Sequence, residues 1–263
     1  MNSENITFSF GENWKNYLKT IDDSDISSAN EDILNWLSIN DIKDKNIIDI
    51  GCGSGLHSFC FHGNGAKELI SVDVDPNSVE ATNSLRTQAG SPSNWNVSIA
   101  SILDNDTLSS HERFDVVYSW GVLHHTGDMW KAIENASMLV KPDGLFWISI
   151  YQKGPGYQKD LASKQRYNNF SSSQKKLFIS KLILKIMWKR LKKGKNPFTW
   201  NEKVVRGMHK YHDIIDWYGG LPYEVASKDE IEPFLKERGF SLIRDHQRKE
   251  RTCSIYLFKK GPA

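Results

Sequence analysis

Residues 46–59, NIIDIGCGSGLHSF, set the strongest limit on the fold. A short apolar run is followed at once by Gly51, Gly53 and Gly55 at alternate positions, and then by LHSFCFHG, which reads as the start of a helix. Glycine at this density is needed where the backbone takes positive φ or where another group comes very close. A buried strand, a tight turn and a helix in this order open a βαβ unit, which points to an α/β protein with a parallel sheet.

The alternation continues downstream. ELISVDVD (68–75), WNVSIASIL (95–103), RFDVVYSW (113–120) and LFWISIY (145–151) read as strands. Between them lie a helix ending near Gly63 or Gly65, NSVEATNSLRTQ with Pro76 in its first turn, and DMWKAIENASMLV stopped by KPDG. Upstream, residues 1–45 read as a helical cap in which SANEDILNWLSI starts from a Ser N-cap. Downstream, SKDEIEPFLKERGF is expected to be a helix with a Ser N-cap and Gly239 at its stop. FSLIRDHQ and TCSIYLFKK then form an antiparallel hairpin. The layout is one domain over 1–263, with a segment over 152–222 inserted before the last helix.

Composition narrows the setting. With 39% hydrophobic and 25% charged residues, the 263-residue chain is an ordinary globular sequence. No apolar stretch approaches the roughly 18 residues that span a bilayer, and MNSENITFSFGENW lacks the pattern of a secretory leader. Cys52, Cys60 and Cys253 form no CxxC pair, which suits a reducing, cytoplasmic compartment and gives no metal signature. Charge is uneven. Residues 161–200 hold eleven of the 34 Lys/Arg and no acid, so the rest of the chain carries 23 basic against 32 acidic residues.

The loop after the first strand lies where open α/β sheets bind ligands. A dinucleotide site needs G-x-G-x-x-G, but counting from Gly51 the position required for the third glycine is Leu56. Asp49, ending the strand, would repel a diphosphate and attract an ammonium. Asp73, at the end of the second strand, can accept hydrogen bonds from ribose hydroxyls. Asp75 is close by, but strand alternation favours one of the two, and Asp73 is the choice. A nucleoside with a cationic amino-acid end fits both carboxylates, and S-adenosylmethionine is such a molecule.

DIGCGSG, SVDVDP, FDVVYSWGVLHH and LVKPDGLFWISIY resemble, in order and spacing, the class I S-adenosylmethionine-dependent methyltransferases. The match covers residues 45–151, and IEPFLKERGFSLI suits the late helix and strand. The resemblance implies a doubly wound Rossmann-like methyltransferase sheet, mostly parallel with an antiparallel last strand. It implies that Asp49 and Gly51 lie near the methionine amino group, that Gly53 and Gly55 let the backbone approach, that Asp73 binds the ribose and that Val74 flanks the adenine. Ser101 and Ile102 would meet the adenine edge, although many relatives have an acid where Ser101 stands. Ser119 and Trp120 would edge the sulfonium, and Trp14 would close over the methionine end. S-adenosylhomocysteine would be the product, with no metal. FSFGENWKNYL and MHKYHDIIDWYGGLPYEVAS are also similar to a bacterial subgroup acting on small molecules or surface glycans.

For the acceptor side, His124 and His125 follow the fourth strand. On a helix, His212 and Asp216 would share a face, as would His209 and Asp213, so a carboxylate could orient an imidazole. The subgroup pattern favours His212, Asp213 and Asp216 over His209. GGLPYE reads as a turn in which Gly219 and Gly220 permit positive φ. The basic stretch KKLFISKLILKIMWKRLKKGK has three readings. It is a lid helix with solvated lysines, a positive rim for an anionic acceptor, or a peripheral membrane contact through 174–195. Nucleic acid is disfavoured, because no stacking platform accompanies the lysines. The expected function is methyl transfer to a small, anionic acceptor (sugar-, nucleotide- or phosphate-linked) in surface-glycan or natural-product synthesis, with polysaccharide biosynthesis as one setting. The rivals are an RNA or protein methyltransferase and a membrane-associated, non-catalytic S-adenosylmethionine-binding protein.

Overall fold

The computed structural model describes residue 11 and residues 22–104, 113–201 and 210–262, without the side chains of His212 and Asp213. The first described helix, α1 (Asp23–Trp36), begins earlier than its sequence suggests. Asp22 is the N-cap, accepting from the amides of Ser24 and Asp25 in a capping box with Asp25, so the serine of SANEDIL lies inside the helix. A carboxylate at the N-cap satisfies orphan amides and favours the positive end of the helix dipole, which outcompetes the later serine.

Strand β1 (Asn46–Ile50) is buried along four of its five residues. It runs into α2 (Leu56–Gly63), β2 (Glu68–Asp73), α3 (Pro76–Gln88) and β3 (Trp95–Ile99). Then follow β4 (Phe114–Trp120), α4 (Met129–Met138) and β5 (Val140–Tyr151). The inserted segment forms α5 (Tyr157–Asn168), α6 (Ser172–Lys192) and α7 (Lys210–Gly219) before α8 (Lys228–Lys236), β6 (Phe240–His246) and β7 (Cys253–Lys260). The sheet order is β3-β2-β1-β4-β5-β7-β6. The first five strands pair in parallel, and β7 runs antiparallel to both β5 and β6.

Neighbouring residues of the central strands point to opposite faces, as the strand period of two requires. Ile48, Ile50, Val117, Phe146 and Ile148 pack with α4 and α8 on one face. Ile47, Val116, Tyr118 and Trp147 pack with α1 and α2 on the other.

Two strand boundaries differ from the expectation. β3 stops at Ile99 because its partner β2 ends at Asp73; the Ala100 amide then donates to the Asp73 carbonyl and the chain turns. KPDG does not merely end a helix but lies inside β5, where the pairing with β4 shifts register between Phe114 and Val116 and Asp143 takes φ +60°.

Candidate functional site

All three glycines of the loop after β1 take positive φ: Gly51 at +76°, Gly53 at +56° and Gly55 at +79°. The amides of Gly51 and Cys52 both donate to the Val72 carbonyl, at 2.7 and 3.1 Å, which fastens the loop to the end of β2. A Cβ on Gly51 would sit 2.3 Å from Val122 Cγ2, in the turn after β4. One on Gly55 would sit 2.8 Å from the Cα of Thr82 on α3. The close approach that excludes a side chain at these two positions therefore comes from the protein itself.

Two carboxylates bracket the loop. Asp49 is buried and accepts from Ser58 Oγ at 2.6 Å, and that hydroxyl lies 2.7 Å from Ser71 Oγ. Asp73 accepts from the amides of Gly53 at 3.0 Å and Asp75 at 2.9 Å, while burial pushes its pKa up to about 6. The Cys52 thiol is pushed well up by burial and then by the fields of Asp73 and Asp49, so the loop sits in negative potential. Asp75 has other work: it caps α3 through the Asn77 amide and accepts from the Gly11 amide at 2.8 Å.

The loop lies at the C-terminal end of β1, between β2 and β4, where strand order reverses. Beside it, Val74 is exposed. Ser101 Oγ accepts from the Leu103 amide at 3.2 Å. Ile102 belongs to the core cluster and its carbonyl accepts from Asn135 Nδ2 at 2.7 Å. Its position past the end of β3 points it inward. Ser119 Oγ donates to the Ile50 carbonyl at 2.9 Å, tying β4 to β1, and Trp120 beside it is half-buried. Trp14 and His209 lie outside the described residues, as does most of the 1–21 stretch.

The turn after β4 carries the two histidines, and the chain returning from the insertion closes over it. His125 Nδ1 pairs with the Pro222 carbonyl at 2.6 Å, which fixes the proton on that nitrogen. The Glu224 amide donates to the His124 carbonyl at 3.0 Å, and the Glu224 carboxylate accepts from the Met129 amide at the start of α4. His124 is fully buried; its Nδ1 receives the Tyr151 amide at 3.4 Å and its Nε2 meets no hydrogen-bond partner among the described residues. Burial holds both imidazoles neutral, with His125 pushed down to about 3 and His124 well below its usual range. Of the pair, His125 alone retains solvent exposure. His124 packs inside the turn, and the accessible imidazole of the two is that of His125.

Sequence reasoning missed the residue beneath this turn. Lys164, on α5, is fully buried and donates to the Trp217 carbonyl. Its Nζ lies 4.5 Å from the ring centre of Tyr223, 4.6 Å from Trp217 and 5.7 Å from Tyr151. Burial pushes its pKa down to about 7, against the pull of Asp160 and Asp216. Asp160, one turn earlier, is held by Arg251 at 2.8 Å. The i, i+4 spacing of Asp160 and Lys164 is the one local signal, and spacing by itself does not show that the pair is buried. The expected helix under HKYHDIIDW is present as α7, and Asp216 is half-buried beside Lys164; of His212 and Asp213 only the backbone is described. Gly219 and Gly220 do not take positive φ; Gly219 ends α7, and the following Leu221–Pro222 bond is cis.

A cleft of about 360 Å³ opens beside the turn, lined by Gly127, Leu161, Gln165, Leu221, Pro222, Tyr223 and Glu224. It lies between α5 and the returning chain.

A family model described as "Methyltransferase domain" matches residues 41–239. A ribosomal protein L11 methyltransferase of Haemophilus influenzae is 32% identical over 116 residues, 44% of this chain and 37% of that protein. A ubiquinone biosynthesis O-methyltransferase of Azorhizobium caulinodans is 31% identical over 116 residues, 44% of each. The chain thus spans less than half the length of these curated relatives. Among solved structures, the magnesium protoporphyrin IX methyltransferase of Synechocystis PCC 6803 with bound SAH has a similar fold. The TM-score is 0.55 at 15% identity, covering 90% of this chain and 86% of that one.

Proposed function

Because the chain belongs to the methyltransferase domain family, we propose that it binds S-adenosylmethionine at the glycine loop and transfers a methyl group to a small acceptor. The observation that carries this reading is the loop itself, fastened at the reversal of strand order and bracketed by Asp49 and Asp73. Its negative potential suits an ammonium and hydroxyl donors and opposes a diphosphate. Asp49 and the backbone at Gly51 would face the amino-acid end, Asp73 the ribose, and Val74 and Ser101 the base. When bound, the donor supplies a methyl group on a sulfonium, already an excellent leaving group.

The chain's own contribution is alignment, since well-oriented reactants reach effective molarities of roughly 10⁵–10⁸ M. Val122 sits against Gly51, so the turn bearing His125 abuts the donor loop. With Nδ1–H held by Pro222, Nε2 is the accepting nitrogen of His125. An imidazole whose pKa is pushed down to about 3 is a weak base, so it orients the proton of an incoming nucleophile rather than removing it beforehand.

Glu224 is the charged residue in the lining of the cleft, and the lysines of α6 are not part of it. An acceptor screen therefore extends beyond anionic sugar-, nucleotide- and phosphate-linked compounds to neutral ones. Cytoplasmic placement is part of this proposal, supported by the three cysteines having no paired spacing.

Isothermal titration with S-adenosylmethionine tests the donor assignment. Micromolar or tighter binding is expected, weakened at least tenfold in Asp73→Ala. No heat of binding by the folded protein would refute it. Release of S-adenosylhomocysteine on adding an acceptor separates an enzyme from a non-catalytic binder.

A further inference from the structure

Helix α6 is poorly explained by packing. It has 21 residues, opened by a capping box between Ser171 and Gln174, yet Ile179 is its one fully buried residue. Leu177, Leu184, Trp188 and Leu191 are 57, 63, 55 and 62% exposed. At roughly 100° per residue these four fall within about 60° of arc, so they form one stripe along the helix. The stripe faces away from the side that carries Ile179.

Charge lies beside it. Lys181, Lys185, Lys189 and Lys192 run along one flank of the stripe, and Lys176 lies on the other. Lys192 Nζ sits 3.7 Å from the Trp188 ring centre. Past the helix, Phe198 is 81% exposed in a turn that Arg190 fixes to α6, through the Asn196 carbonyl at 2.9 Å and Thr199 Oγ1 at 2.6 Å. No acid occurs anywhere from 161 to 200.

We infer that α6 docks the protein on an anionic lipid surface. Its Leu/Trp stripe would enter the headgroup–acyl boundary, and its lysines would reach the phosphates. The charge pattern selects this occupant. A second copy of the chain on the same stripe would bring two all-cationic helices together, and a nucleic acid would satisfy the lysines while leaving the leucines in water. An anionic lipid satisfies both, because lysine stems lie along apolar surface while their ammonium groups reach outward. The helix lies on the membrane rather than across it: among the described residues no helix is long and apolar enough to span one. The inference does not rest on the methyl-transfer reading.

Flotation of the full chain tests it, with vesicles of pure phosphatidylcholine and of phosphatidylcholine with 30 mol% phosphatidylglycerol (on the order of one anionic lipid in three). Binding to the anionic vesicles alone, falling as salt is raised, is expected. Lys185→Gln should lower the partition coefficient about fivefold, and Leu184→Ser with Trp188→Ser should lower it at least tenfold. Both variants should keep the parent's circular dichroism and unfolding midpoint, because these side chains are exposed. Failure to float with anionic vesicles at low salt would overturn the inference. So would binding unaffected by the stripe variant, tighter binding to a single-stranded RNA oligomer than to the vesicles, or a dimer in sedimentation that the stripe variant dissolves.

Discussion

Gly51→Ala offers a quantitative test of how the donor loop is built. Two separate costs act there. The native φ of +76° is left-handed, which costs an L-residue about 1–2 kcal/mol. The new methyl would also lie 2.3 and 2.5 Å from the two γ-methyls of Val122, an overpacking typically worth about 1–3 kcal/mol. Together they predict a loss of roughly 2–5 kcal/mol, a large part of a domain's stability. Val122→Ala alone should cost about 1 kcal/mol, from partly buried methyls. In the double variant the γ-methyl clash disappears while the backbone term stays. Relief is partial, because Val122 Cβ itself lies 2.8 Å from the place the new methyl would take. Urea unfolding of the four proteins should therefore show the double variant at least about 1 kcal/mol more stable than the sum of the single losses. Additivity within about 0.5 kcal/mol would refute the idea that the loop and the turn after β4 are packed through this contact.

Other expectations follow from the same geometry. Gly55→Ala meets Thr82 Cα and Oγ1 at 2.8 Å and Cβ at 2.9 Å, so trimming Thr82 to alanine, which removes only the Oγ1 contact, should rescue at most a minor part of its loss in urea unfolding. Asp73 carries a pKa raised to about 6, and in the proposed donor site its ionised form would accept the ribose hydroxyls. Donor affinity should accordingly fall about tenfold per pH unit below that value in calorimetry, and Asp73→Asn should be weak and pH-insensitive. Burial pushes the Lys164 pKa down to about 7 from its ordinary 10.5, so between those values the unfolded chain holds the extra proton and stability rises with pH. The slope is at most about 1.4 kcal/mol per pH unit, and Lys164→Met should flatten it in denaturant titrations across pH 7–10. Glu224→Ala removes an acceptor from the first turn of α4 and should cost about 1 kcal/mol in unfolding.

The glycine loop and its two carboxylates were legible because their placement is local. A strand, three glycines and two carboxylates at strand ends occupy fixed places once the sheet forms, and periodicity alone locates the sheet. Boundaries were less legible where partner strands decide them: β3 stops with β2, and β5 extends through KPDG because β4 pairs with it across a register shift. The acceptor side depends on contacts between residues far apart in the chain. His125 meets Pro222, 97 positions later, and Lys164 reaches the Trp217 carbonyl, 53 positions later. Apart from Asp160 one turn earlier, no local pattern distinguishes Lys164 from the other ten basic residues of 161–200. The glycines also carried an ambiguity: positive φ was the right reason for all three, but Gly51 and Gly55 are further compelled by Val122 and Thr82.

These long-range contacts have a mechanical consequence. The returning chain is bound to the turn after β4 at three points: Pro222 to His125, the Glu224 amide to the His124 carbonyl, and the Glu224 carboxylate to Met129. That same turn presses Val122 against Gly51 of the donor loop. The turn after β4 thus touches both the returning chain and the donor loop. Lys164 stands where the insertion meets that turn, bonded to α7 and caged by Tyr151 of β5 and Tyr223 of the returning chain. Losing its charge would weaken the cation–π contacts on both sides at once, whereas removing a lysine of α6 would leave them intact. Within one basic segment, then, the buried lysine ties the insertion to β5 and the returning chain, while the exposed lysines of α6 take no part in that tie.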